Sequence, residues 1–194
     1  MVHPDTTLAF IDEIVGYGVV ATQPIPKGTI VWVEDPLDQR FTPARMAEMP
    51  DVLRTPVERY SYRDHRGDMV LCWDLAKYFN HSCESSCLGL DFPFEVAVRD
   101  IAPGEQLTDD HGTFYLLGAE RFACRCGAPG CRGAVTPEDR KGHEPTWRQM
   151  LAAALGSTQS VAQPLAELLL PGELDAVVRR YISGVAAAST RRPK

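Results

Sequence analysis

The sequence predicts a mostly β domain with α-helices added, the helices gathered toward the C-terminus. Two observations carry this. Residues 8–35 read as short β-branched, apolar runs cut by glycines and prolines. From about Pro145 the composition turns to Ala, Leu, Glu and Arg, with apolar residues at helical spacing. The chain has 194 residues, 44% hydrophobic and 24% charged, an ordinary globular composition. A chain of this length buries about two-thirds of its unfolded surface, so a sizeable core is available.

The elements follow in order. Leu8 to Val15 reads as a strand ending at the glycine pair Gly16 and Gly18, and Val19 to Thr22 as the next. Pro24 and Pro26-Lys27-Gly28 punctuate a turn before the β-branched run Thr29 to Val33. Thr42-Pro43-Ala44 has the form of a helix start, with Met46, Met49, Val52 and Leu53 spaced for one helical face. Residues 68–82 return to apolar density through Met69, Leu71, Trp73, Tyr78 and Phe79, and Phe94 to Val98 reads as a short strand. Pro103-Gly104 is a turn, and Glu105 to Thr108 leads into Asp109-Asp110-His111. Three helices are expected beyond: one through Trp147, Met150, Leu151, Ala154 and Leu155, a second from Val161 to Leu170, and a third from Glu173 to Ile182 ended by Ser183-Gly184. They are expected to pack on the core. They also offer a face for a homodimer or a cover for a cleft.

The formal net charge of −6 argues against a non-specific grip on nucleic acid. The basic run Arg191-Arg192-Pro193-Lys194 is short and terminal. No charged segment followed by an apolar stretch opens the chain, and no apolar run approaches the roughly 18 residues of a membrane span. The expected location is cytoplasmic, or nuclear in a eukaryote, with no membrane or direct nucleic-acid partner. Six cysteines in such a chain favour metal ligation over disulfides.

Three segments carry chemistry. Gly16-Tyr17-Gly18 permits positive φ and close backbone approach to a ligand, although a plain hairpin turn has the same form. No third glycine or helix follows, so it is no dinucleotide fingerprint. Asn80-His81-Ser82-Cys83 offers an amide and an imidazole to polar ligand edges, where a lone histidine reads as a surface or core residue. Cys124-x-Cys126 followed by Cys131 supplies three thiols, and a tetrahedral zinc site needs four ligands. Cys72, in an apolar run, reads as a buried small hydrophobe. No Cys-x-x-Cys motif is present to suggest redox chemistry.

In this order and at these separations the segments resemble a SET domain, the fold of S-adenosylmethionine-dependent protein-lysine methyltransferases. The resemblance covers roughly residues 8–133. It implies a SET-domain fold of small β-sheets over residues 1–119, with a substrate-recognition insert at about 40–67. In that fold Asn80-His81-Ser82-Cys83 passes through a loop made by a later segment, a pseudoknot. A post-SET zinc motif at 120–135 and a helical extension at 145–194 follow. S-adenosylmethionine would be held by Gly16, Tyr17, Gly18, Asn80 and His81. A structural zinc ion would be held by Cys124, Cys126 and Cys131, with Cys83 as fourth ligand and Cys87 as its rival. A closed site of four cysteines leaves no catalytic position, and Arg125 and Arg132 stand nearby to offset thiolate charge.

The segment Gly104 to Gly112 resembles the second core motif, with departures. His111 stands where the family carries its catalytic tyrosine. Asp109 falls where an aromatic wall of the lysine channel is common, and Gln106 replaces a glutamate. Glu84-Ser85-Ser86 stands in place of the Pro-Asn pair usual after the motif cysteine.

Methyl transfer from a sulfonium to an amine is an in-line displacement, and it needs a neutral amine held at near-attack distance. A lysine amine titrates near 10.4 in water, and a nearby sulfonium and desolvation both lower that value. A histidine titrating near 6.5 could accept the proton, which makes His111 a catalytic candidate. Asp109 or Asp110 would orient its ring or hold a cationic amine. Tyr115 or Tyr17 would supply a hydroxyl, and Tyr60 and Tyr62 are candidates for the substrate wall. The expected function is methyl transfer from S-adenosylmethionine to an amine, most simply a protein lysine. A small-molecule amine substrate, or a silent scaffold acting through protein contacts, are the alternatives.

Overall fold

The structure, a computed structural model, describes residues 1–118 and 120–189, the stretch 183–189 as helical backbone. The basic tail at 191–194 lies outside the described residues, as does Ala119, where the first unit was expected to end.

The chain opens with an antiparallel hairpin of β1 (Thr6–Asp12) and β2 (Gly16–Ala21). Its turn falls ahead of the glycine pair, at residues 13–15. The Asp12 carboxylate accepts the N–H groups of Ile14 and Val15 at 2.7 and 2.8 Å, reversing the chain before the glycines are reached. Gly16 then opens β2 at φ +79°.

Next come β3 (Ile30–Val33), β4 (Gln39–Phe41), β5 (Ser61–Arg63) and β6 (Met69–Leu71), then β7 (Asn80–His81), β8 (Cys87–Leu88) and β9 (Phe94–Ala97). The series ends with β10 (Thr108–Asp109), β11 (Phe122–Ala123) and β12 (Ala134–Val135). They form small sheets: β3-β9-β8 and β4-β6-β5 of three strands, and the pairs β1-β2, β7-β10 and β11-β12. Apart from β7-β10, which is parallel, the pairings are antiparallel.

The insert after β4 holds two helices, α1 (Pro43–Glu48) and α2 (Asp51–Tyr60), instead of one continuous helical face. Thr42 caps α1 as expected, its hydroxyl accepting the Arg45 N–H at 3.3 Å. Pro50 then holds Met49 extended, at ψ 133°, and resets the helical phase. Met46 and Val57 are therefore the buried positions, while Val52 and Leu53 are 79% and 56% exposed.

The C-terminal helices also differ from expectation. The first, α3 (Pro137–Leu155), begins well before Pro145. Thr136 starts it: Asp139 accepts the Thr136 N–H at 2.9 Å, and Pro137 sits where its missing donor costs nothing. Val161 to Leu170 forms no α-helix, only a short 3-10 turn at Ala166–Leu168, with another just before it at Thr158–Ser160. Pro164 lacks a donor and disfavours a helical residue before it. The last helix, α4 (Glu173–Ser189), continues through Ser183-Gly184. A mid-helix glycine costs about 1 kcal/mol, and three alanines beyond it favour continuation.

These helices share the main core. Ile30, Leu88, Phe94 and Val96 of the β3-β9-β8 sheet pack with Trp147, Leu151, Leu155, Leu165 and Tyr181. A second cluster of Val19, Ala21, Ile25, Val31 and Leu107 lies under the hairpin, and Phe41, Met46, Val57 and Met69 make a third in the insert. The linker before α4 is fixed by Gln163, whose amide donates to the Gly28 carbonyl and accepts the Ile30 N–H, both at 2.8 Å. No helix of the described residues is long and apolar enough to cross a membrane.

Candidate active site and cysteine cluster

The parallel pairing of β7 with β10 assembles the site. Thr108 lies beside Asn80 and Asp109 beside His81. Beyond the strands, the Ser82 N–H donates to the Asp109 carbonyl at 3.0 Å and the Ser86 N–H to the Thr108 carbonyl at 3.1 Å. Two segments distant in sequence are thus brought side by side, with the His81 and His111 rings 5.4 Å apart.

On one side Asn80 meets the glycine strand. Its amide donates to the Tyr17 carbonyl at 3.1 Å and to Gln106 Oε1 at 3.0 Å. A Cβ on Gly18 would stand 2.5 Å from Gln106 Oε1 and 2.7 Å from Asn80 Nδ2, so this contact requires glycine. Nothing lies within 4 Å of the corresponding point on Gly16. The Tyr17 ring is 53% exposed, edge-on to Phe10 and Tyr78. The His81 ring points elsewhere. Its Nδ1 accepts the His111 backbone N–H at 3.1 Å, which leaves Nε2 carrying the proton, 3.3 Å from Cys83 Sγ. Burial lowers its pKa, and that ring is neutral at neutral pH.

On the other side lies a cavity of about 360 Å³. Its wall includes His111, Asp109 and Tyr115, all three candidate catalytic residues, together with Tyr60 and Tyr62. Gly16, Tyr17, Gly18, Asn80 and His81 are not part of that wall.

His111 stacks on Phe114, with centroids 5.0 Å apart and planes at 23°. Its Nε2 lies 3.2 Å from the Phe79 carbonyl. A carbonyl only accepts, so Nε2 carries the proton and Nδ1 the lone pair. Burial, with His81 adding to it, pulls the pKa to about 4 instead of the 6.5 of an unperturbed histidine. The ring is a neutral, weak base. No carboxylate hydrogen-bonds it either. Asp110 instead takes Arg132 at 2.6 and 2.7 Å, Trp147 Nε1 at 3.0 Å and the Gly112 N–H at 3.0 Å.

Asp109 is 1% exposed. Its Oδ1 accepts the Asp110 N–H at 2.7 Å, and no donor reaches its Oδ2. Beside it stands Glu95 on β9, 9% exposed, also with an unpartnered oxygen. Burial pushes the Glu95 pKa up to about 7, and burial together with the Glu95 charge raises Asp109 well above the carboxylate range. Both carboxyls therefore resist ionisation in this buried setting. Glu95 was not foreseen. Its one signal is a charged residue alone inside the apolar run Phe94 to Val98.

The Tyr115 hydroxyl is already engaged, donating to Asp91 at 2.6 Å and accepting from Arg140 at 2.9 Å. Burial and Asp91 push its pKa to about 12. The Tyr62 hydroxyl donates to Glu34 at 3.2 Å.

The sulfurs of Cys83, Cys124, Cys126 and Cys131 lie within 4.8 Å of one another. Cys124 is 3.7 Å from Cys83 and 3.6 Å from Cys131. Four sulfurs around zinc at 2.3 Å define a tetrahedron of edge about 3.8 Å, so the set fits the metal. Cys87 is fully buried beside the Ser86 hydroxyl, outside the cluster, and Cys72 is a buried thiol. Of the two arginines, Arg132 stands close enough for its charge to favour the Cys83 thiolate. Arg132 gives its backbone N–H to Cys83 Sγ at 3.4 Å and its guanidinium to Asp110, while Arg125 is exposed. Phe122, from the same region, lies edge-on to His81 at 5.5 Å and near His111 at 6.0 Å.

The SET-domain family profile matches residues 16–112. The chain belongs to the SET-domain family. It is 41% identical over 66 residues to "Histone-lysine N-methyltransferase, H3 lysine-4 specific" of Yarrowia lipolytica, covering 30% of this chain. It is 30% identical over 132 residues to "Histone-lysine N-methyltransferase ash1" of Drosophila melanogaster, covering 62% of this chain. In both cases it spans 6% of the relative's length. Among solved structures it resembles the methyltransferase domain of human histone-lysine N-methyltransferase SETMAR, with a TM-score of 0.49 at 20% identity. That match covers 70% of this chain and 58% of the other.

Proposed function

We propose that this chain transfers a methyl group from S-adenosylmethionine to an amine, with a protein lysine side chain as the simplest substrate. The observation that carries the reading is the β7-β10 pairing. It sets the glycine–asparagine cluster and the aromatic-walled cavity on either side of the His81–His111 pair. The names of the matched relatives support the same chemistry.

The backbone of Gly16, Tyr17 and Gly18, with Asn80, would hold S-adenosylmethionine, the open space above Gly16 leaving room for it. His81 faces away from that cluster, toward the His111 backbone and Cys83. When bound, the cofactor supplies a sulfonium-borne methyl group. The remaining work belongs to the chain's own side chains. Tyr60, Tyr62 and Phe114 keep water from the amine, and the neutral His111 offers Nδ1 as a hydrogen-bond acceptor. Asp109 holds positive charge at the wall, and Tyr115 fixes the rim through Asp91 and Arg140. Cys83, Cys124, Cys126 and Cys131 would hold a zinc ion whose role is structural.

The test is transfer of a labelled methyl group into histone proteins and into small amines, with Asn80→Ala as control. Label in protein that is lost in the variant supports the lysine reading. Label in small amines alone moves the substrate to that class. Label in neither, by folded protein that also fails to bind S-adenosylmethionine in calorimetry, overturns the enzyme reading in favour of a scaffold.

A further inference from the structure

Cys83 is the point where the cysteine cluster meets the rest of the site. Two N–H groups reach its sulfur, His81 Nε2 at 3.3 Å and the Arg132 backbone at 3.4 Å. Cys131 Sγ takes a backbone donor too, the Gly133 N–H at 3.5 Å. Among the described residues His81 is the one side chain outside the cluster that donates to it.

The opposite edge of the same ring is also committed. Nδ1 accepts the His111 N–H at 3.1 Å, and a ring nitrogen that accepts carries no proton. The backbone of the cavity segment thus sets the tautomer, and the tautomer aims Nε2–H at the sulfur. Asp110 Oδ1 lies 3.6 Å from Nδ1, beyond hydrogen-bond reach, and is held by Arg132 and the Gly112 N–H. The His81 side chain is 6% exposed with Phe122 edge-on to its ring, so packing keeps it in this orientation. Four thiolates on a divalent ion leave excess negative charge. A donor aimed at one of those sulfurs disperses the charge and orients the ligand.

We propose that His81 is a positioning residue that couples the metal to the cavity: its Nε2–H steadies the Cys83 thiolate on zinc while its Nδ1 holds the His111 backbone. The resemblance gave this side chain to S-adenosylmethionine, and the geometry gives it to the metal. The proposal rests on the reading of the cysteine cluster as a zinc site. Two substitutions separate the two ends of the ring. Asparagine carries its amide oxygen near the Nδ1 position and falls short of the sulfur. Glutamine carries its amide nitrogen near the Nε2 position and leaves the His111 N–H without an acceptor.

The experiment measures zinc affinity by competition with a chromophoric chelator, and the sulfur-to-metal charge-transfer band of the cobalt(II)-substituted chain. His81→Asn should weaken zinc by about 10–100-fold and shift the band. His81→Gln should keep an affinity close to that of the unaltered chain, while the His111 amide exchanges its hydrogen faster. A ring that only filled space would give equal losses in both variants, and that result overturns the proposal. Unchanged affinity and an unshifted band in His81→Asn overturn it as well. A measurement without substitution stands beside these: nitrogen NMR of the zinc-loaded chain should find His81 protonated at Nε2, and a proton at Nδ1 overturns the proposal. Failure to take up either zinc or cobalt by the unaltered, folded chain overturns it together with the zinc reading. Metal bound but indifferent to His81→Asn overturns the coupling alone.

Discussion

Arg132 closes on Asp110 with both terminal guanidinium nitrogens, at 2.6 and 2.7 Å. The two residues come from the cysteine region and from the position before His111, so the C-terminal segment and the cavity are mechanically joined. Asp110 is 1% exposed, and removing its partner would leave a buried charge unpaired. Arg132→Ala should cost about 3–5 kcal/mol in urea unfolding. A loss under about 1 kcal/mol, the size of a surface pair, would show that the join is not structural.

The sulfur geometry makes a metal prediction. Purified chain should contain a single zinc ion by elemental analysis. Cys83→Ser and Cys124→Ser should lose it together with much of the thermal stability. Cys87→Ser, outside the cluster, should retain it. Zinc lost in Cys87→Ser and kept in Cys83→Ser would transfer the fourth ligand to Cys87.

Gly18 has no room for a methyl group, with Gln106 and Asn80 atoms at 2.5 and 2.7 Å from the Cβ position. Gly18→Ala should destabilise the chain by about 1–3 kcal/mol and weaken S-adenosylmethionine binding through Asn80. Gly16→Ala meets open space and should cost about 1 kcal/mol, from its φ of +79° alone. Equal effects in the two variants would mean that the Asn80 contact does not govern the site.

The pair of buried acids sets a pH dependence. Glu95 has a folded-state pKa raised to about 7 from 4.5, so between these values the folded state binds more protons than the unfolded. Stability should therefore fall as pH rises through this window. Asp109 is raised as well and acts in the same direction. Urea unfolding at pH 5.5 and 8 measures the slope, which Glu95→Gln should flatten. His111, lowered to about 4, works in the opposite direction below about pH 6.5, so the test is the difference between chain and variant, and a slope unaltered by Glu95→Gln would contradict the raised carboxyl.

The local motifs were legible because they are short and rely on residue type: glycine for close approach, thiols for metal spacing, Asn-His-Ser-Cys for the β7 segment. What escaped depended on competition between signals. Asp12 moved a turn ahead of two glycines, Pro50 reset a helix that apolar spacing had made continuous, and the Thr136 start outweighed a compositional boundary at Pro145. The protonation of His111 could not be read from its type, because burial sets it. Glu95 became meaningful only when folding placed it beside Asp109, some distance along the chain.

The Gln163 side chain ties the linker before α4 to the end of β3. By accepting from Ile30 and donating to Gly28 it behaves as a piece of extra strand laid along β3. An unguarded strand edge is a template for association with another chain. A fragment ending after the cysteine cluster would free the Gly28 and Ile30 end of that edge, the rest of which is paired with Met1 to His3, and would bare the apolar surface left by Trp147, Leu151 and Leu155. It should be prone to aggregate, and fragments meant to stay soluble need to extend through α4.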